Sequence, residues 1–173
     1  MTSSRVSGHT AIARVTPTIS SGSIYASGDQ LGGIMEINIP MEDKSQWSSL
    51  TLTTITVVDL GKQNSDIEIL FWNASPTLVS DNAAADFDDT ELKTRFAGSV
   101  TTGSTYNSYN DNSSVTVLSR PLQINVSAST YGTTSSVREQ MTIFASAVVR
   151  GTPTYTSTGD LTFVFKFAVD AEY

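Results

Sequence analysis

Apolar side chains in this chain recur at every second position, the spacing of strands that bury one face. Met35, Ile37 and Ile39 alternate with Glu36 and Asn38, and the run stops at Pro40. Between 50 and 58, Leu50 and Leu52 fall on one phase while Ile55 and Val57 fall on the other. One extra residue near Thr53 and Thr54 restores the facing, which predicts a β-bulge. Ile67, Ile69 and Phe71 share a face, and Glu68, Leu70 and Trp72 share the opposite one. That strand is expected to be buried on both sides near its end. Further strands follow at 115–119, at 122–126 (Leu122, Ile124 and Val126 on one phase) and at 141–149 (Met141, Ile143, Ala145, Ala147 and Val149). The last is the clearest, with Leu161, Phe163, Phe165, Phe167 and Val169 inward against Thr162, Val164, Lys166 and Ala168. Each buried Phe contributes about 1.5–3 kcal/mol.

The period changes between 81 and 96. Asp88 followed by Glu91 fits a capping box, Leu92 and Phe96 lie one turn apart, Lys93 and Arg95 fill the last turn, and Gly98 follows as a stop. These signals predict a helix of about two turns. Residues 101–114 and 129–137 read as polar loops. Residues 1–22 carry Arg5 and Arg14 but no acid, and Pro17 interrupts their one apolar alternation. Three readings stand for this stretch: a frayed terminus, an extended arm lying on an acidic neighbour, or an edge strand. The arm, over 1–22, is carried forward as the expectation, with a β-domain over 23–173. Seven to nine strands with one short helix in a connection predict an all-β fold. An antiparallel β-sandwich is the expected form, and a jelly-roll is its preferred topology.

Composition narrows the function classes. Charged residues make up 16% of the chain, and Ser and Thr together take roughly 28%, a bias that suits hydroxyl-bearing outer strand faces. With no Cys, disulfides, thiolate zinc sites and thiol nucleophiles are excluded. A net charge of -7 disfavours broad binding to nucleic acid. No apolar run approaches the length of a membrane span, and the first twenty residues lack the pattern of a signal peptide. Three Asn-x-Ser sequons, at Asn73, Asn112 and Asn125, are expected by chance in so Ser-rich a chain.

Candidate chemistry is sparse. His9 lies in the polar stretch without a rigid partner, and no nucleophile elbow, P-loop or dinucleotide fingerprint occurs. No catalytic, cofactor-binding or metal-binding residue is therefore assigned, and the chain is not expected to be an enzyme. Glu36 and Glu68 are the acids set mid-strand, and a glycosidase would need them to meet across a cleft. The cluster Asp81, Asp86, Asp88, Asp89 and Glu91 favours helix capping over calcium, since it lacks the spacing of an EF-hand loop. Trp47, Trp72, Tyr106, Tyr109, Tyr131 and Tyr155 offer a sugar-stacking platform or, for Tyr106 and Tyr109, contacts to a protein partner. Arg5, Arg14, Tyr106 and Tyr109 are the candidate contact residues.

Several segments, in order, carry a family likeness: 25–33 (YASGDQLGG), 66–73 (DIEILFWN), Pro76, 80–87 (SDNAAADF), 89–92 (DTEL) and 149–161 (VRGTPTYTSTGDL). Together they resemble a family of tailed-bacteriophage structural proteins regarded as head decoration, or cement, proteins. The likeness spans roughly 24–169, and its motifs are turns and strands without chemical specificity. The loop 106–114 and the first 22 residues look particular to this chain. The resemblance implies a virion protein on the outer surface of the capsid, with the major capsid protein as partner, commonly a homotrimer, without cofactor, nucleic acid or membrane. The competing classes are a receptor- or carbohydrate-binding module of a tail or fibre, a jelly-roll glycosidase, and a major capsid protein.

Overall fold

The computed structural model describes residues 9–40, 47–125 and 140–171, with side chains described at 10–39, 51–117 and 142–168. In chain order the elements are β1 (His9–Val15), β2 (Met35–Pro40), β3 (Trp47–Asp59), β4 (Ile67–Trp72), α1 (Asp89–Thr94), β5 (Phe96–Thr101), β6 (Asn107–Ser108), β7 (Ser113–Asn125), β8 (Gln140–Val149) and β9 (Leu161–Ala171). They form two antiparallel sheets packed as a sandwich, one ordered β1-β9-β3-β7-β6 and the other β2-β8-β4-β5. The all-β sandwich with one short helix is thus as the alternation predicts.

Between the sheets lie Leu52, Ile55, Val57, Phe163, Phe165 and Phe167 from one layer and Ile37, Ile67, Ile69, Phe71, Ile143 and Ala147 from the other. Phe71 meets Phe165 edge-to-face across the layers at 5.8 Å. The phase change in β3 is a bulge: its register shifts between Leu52 and Thr54 against both β7 and β9. The extra residue lets Leu52 and Ile55 face the same core, both fully buried. β4 is buried on both sides, because Leu70, Trp72 and Val148 form a second cluster outside the four-stranded sheet with Ala85, Phe87 and Phe144 against it.

Several expectations give way. The stretch expected as an arm is, from His9 on, part of the sandwich. β1 pairs along its whole length with β9, Pro17 is buried, and Ile19 is 1% exposed. Ala11, Ala13 and Val15 supply the inward phase of an edge strand, and small side chains there suffice against β9. Residues 1–8, with Arg5, lie outside the described residues, as do Tyr131, the loop 129–137 and the side chain of Trp47. β5 is a strand where the sequence suggested only a helix stop. Gly98, at φ 146°, sits beside its register shift against β4. The helix buries none of its residues, so Leu92 is 37% exposed; Phe96, expected in its last turn, instead opens β5 and is 39% exposed.

Candidate functional site

Each sheet turns one face away from the core, and the two differ. Over the four-stranded sheet the connection 73–95 lies as a cover, pinned by Asp81. Its carboxylate accepts from the Ser20 backbone N–H at 2.7 Å, the Ser20 hydroxyl at 2.5 Å, the Tyr25 hydroxyl at 2.8 Å and the Gly32 N–H at 2.5 Å. Backbone bonds extend the junction: Gln30 N–H donates to Ala83 O, Ala85 N–H to Gly28 O, Leu31 N–H to Ala147 O and Tyr25 N–H to Pro153 O. Gly32 stands at φ 69°, and a Cβ there would meet Pro17 Cβ at 2.8 Å. The segments 25–33, 80–87 and 149–161, separate in sequence, therefore form one junction, and its contacts are architectural. Burial and the bond to Asp81 push the Tyr25 phenol well above its ordinary range, which keeps it a donor.

The acidic segment follows the capping reading. Asp88 accepts from Thr90 N–H at 2.8 Å and Glu91 N–H at 3.1 Å. These bonds hold its carboxyl below the usual range. Glu91 does not complete a capping box. It turns away to accept from the Thr77 N–H at 2.9 Å and to pair with Arg95 at 2.8 Å, which ties the helix to the loop before it. Among the described residues no group of three or more acidic, His or Cys side chains is placed to hold a metal.

Glu36 and Glu68 flank β8 on one sheet, opposite Phe144 and Val148 respectively. Four residues along a strand are roughly 13 Å, and two strand spacings add about 10 Å across. A carboxylate pair for glycoside hydrolysis needs about 5–9.5 Å, so this pair does not form one. Glu68 instead pairs with Arg150. Burial draws its carboxyl up, but bonds from Arg150 and Ser99 hold it below the ordinary value. The sugar platform also fails to assemble from the expected aromatics. Trp72 is fully buried between Phe87 and Phe96, its indole N–H donating to Ser146 Oγ at 3.0 Å, and Tyr155 is fully buried against Tyr25.

The face of the five-stranded sheet has no such cover among the described residues. Its outward positions run in rows across the strands: Arg14, Val164, Thr56 and Thr116; Ile12, Lys166 and Thr54; Thr10, Ala168 and Thr51; Thr162, Val58 and Ser114. Thr16 and Thr162 bond hydroxyl to hydroxyl at 2.8 Å, and so do Thr56 and Thr116. Each such pair replaces one hydroxyl–water bond with a cross-strand one. Arg14 and Lys166 are exposed, Ile12 is 53% exposed, and none of these described positions carries a carboxylate.

Two of the candidate contact residues fall on this surface. Arg14 lies on the β1 margin. Tyr109, 57% exposed, lies at the opposite margin within 3.5 Å of the Ser114 hydroxyl. Lys62 Nζ donates to the Tyr109 carbonyl at 2.9 Å and braces that loop, whose turn also carries Asp111. Comparison with known families and with curated proteins finds no match. Tyr106 has a different role: its ring packs against the core, its hydroxyl donates to Ser65 O at 2.8 Å, and burial pushes its phenol up to about 12.

Sequence reasoning did not single out a buried polar group at the end of the sandwich. Asp59 is fully buried. One oxygen accepts from Asn64 N–H at 2.8 Å, and the other has no described partner. The Tyr155 hydroxyl is likewise buried without one. Asp160 lies nearby, its carboxylate held by Thr156 and Ser157 N–H groups at 2.9 Å. Burial raises the Asp59 carboxyl above its ordinary value against the pull of backbone donors, and the charge of Asp160 adds to the rise.

Proposed function

We propose that this protein is a capsid decoration protein, which binds the outer shell of a tailed-phage head and stabilises it by bridging major capsid subunits. The observation that carries this reading is the open face of the five-stranded sheet: uncovered among the described residues, rich in Thr and without described carboxylates, in a chain of net charge -7. Such a surface is built for packing against protein. The family likeness supports the same reading, since its segments 25–33, 80–87 and 149–161 meet in one junction that fixes the loops. The strand order supports a jelly-roll winding as well. With the two-residue β6 set aside, four strands ordered β1-β9-β3-β7 face four ordered β2-β8-β4-β5. Burial of Trp72 and Tyr155 weighs against the carbohydrate-binding module of a tail or fibre.

The mechanism is linkage. A protein that binds the assembled shell and not free subunits stabilises the assembled state by mass action. Several modest contacts presented on one rigid oligomer, a homotrimer in this reading, add through effective concentration. The test is to add purified protein to phage heads that lack it and to record their thermal disruption. The expected result is a higher disruption temperature that rises with added protein up to full occupancy. Heads that melt at the same temperature with and without the protein would refute the reading.

A further inference from the structure

The reading above leaves open which side of the sandwich meets the shell. Resting on that reading, we infer that the open face of the five-stranded sheet is the shell-facing surface and that its occupant is an acidic protein surface on the capsid exterior. Arg14 and Lys166 stand two strand positions apart on adjacent β1 and β9, surrounded by Thr, Ala and Val. Mutual pairing of Thr16 with Thr162 and of Thr56 with Thr116 lowers the cost of taking these hydroxyls out of water. Ile12 and Val164 add apolar contact beside the two cations, and Tyr109 supplies an aromatic group at the rim.

Charge selects the occupant. The opposite side of the sandwich carries Glu36, Asp86, Asp88 and Asp89 exposed, with Lys93 among them and Glu68 paired to Arg150, so its balance is acidic and an acidic partner is favoured here instead. A second copy of this chain could offer that acidic side, but the two surfaces lie on opposite faces of the sandwich. Copies joined through them would stack into an open filament instead of closing into a ring. Size points the same way. Over the seven positions at which β1 pairs with β9, four strands about 4.8 Å apart give a face on the order of 400 Å². That is about half of one partner's share in a stable interface, so one copy alone binds weakly and in a salt-dependent way, and repeated contacts are needed.

The experiment is co-sedimentation of the protein with heads that lack it, at low and at high salt. The double variant R14E/K166E is expected to bind roughly tenfold more weakly or worse and to lose its salt dependence. The double variant E36K/D86K, on the opposite side, is expected to bind as the unsubstituted protein does. Should R14E/K166E melt early, R14Q/K166Q serves in its place, with a flatter salt dependence expected. Failure of the unsubstituted protein to sediment with heads refutes the decoration reading itself. Binding that survives R14E/K166E, or that falls equally in E36K/D86K, overturns the face assignment while leaving decoration intact. Salt-sensitive filaments of the protein alone, abolished by R14E/K166E, would make a second copy the occupant and overturn the inference too.

Discussion

The two outer faces of this sandwich are laid on the same alternating backbone and meet their surroundings in opposite ways. On the four-stranded sheet the outward phase holds Leu70, Trp72, Phe144 and Val148, and the chain folds its own connection 73–95 over them, with Asp81 as the pin. On the five-stranded sheet the outward phase holds Thr51, Thr54, Thr56, Thr116, Thr162 and Val164, with Arg14 and Lys166 among them, and no described segment covers it. The difference separates two uses of a sheet surface. Large apolar groups on the outward phase need a cover supplied by the chain itself. A face of Thr hydroxyls with two cations among them needs no such cover, and in the proposed reading it is the one left for a partner.

The strongest way to break this comparison is to truncate matched outward residues. Trp72→Ala should cost about 3–5 kcal/mol in urea unfolding, whereas Thr56→Ala on the other face should cost under about 1 kcal/mol. Equal costs would mean that the two faces are equally built into the fold. Next is the pin. Asp81→Ala strands the Ser20, Tyr25 and Gly32 donors together, and about 2–4 kcal/mol of stability should go with it. Hydrogen exchange should then quicken at residues 28–31 and 82–85, where the cover bonds to the sheet, and stay unchanged in β3.

Between the faces, Asp59 gives a pH signature. Its folded pKa is raised by burial, so its contribution to stability is full below the ordinary carboxylate value of about 3.9 and is lost as pH rises through the folded value. Asp59→Asn should therefore flatten the decline of stability from acid toward neutral pH, as measured by melting across that range. A parallel decline in the variant would show that Asp59 is not its source. The smallest expected effect on stability belongs to the open face. R14E/K166E should unfold within about 0.5 kcal/mol of the unsubstituted protein, because neither side chain is enclosed.

How far the sequence foretold all this depends on contrast between neighbouring positions. Where Ile, Leu and Phe alternate with polar residues, as in β2, β3 and β9, strand and facing were legible, and so was the bulge that re-phases Leu52 and Ile55. The outward Leu70 and Trp72 even disclosed that one face of β4 would be covered. β1 reads in the sequence as an edge strand but gives way to the arm, because its inward residues, Ala11 and Ala13, are small while outward Ile12 is large, which inverts the usual contrast. β5 was hidden because Gly98 and Ser99 blur its phase. Asp81 gave no sign of its role, since its donors Ser20 and Gly32 lie 61 and 49 residues away. The outward residues of β9 were legible, but the face they share took form only when pairing set Arg14 beside Val164 and Thr56 beside Thr116. Tyr106 and Tyr109 looked equivalent as loop aromatics. Only packing sends one into the core and leaves the other at the rim.

The most direct measurement is an image reconstruction of heads carrying this protein, at a resolution that distinguishes the two sheets. The account predicts density for the sandwich on the outer shell, with Arg14, Lys166 and Thr56 turned toward capsid subunits and the acidic cover around Asp86 turned toward solvent. Density at the tail, or a shell-bound sandwich lying with its acidic side down, would contradict it.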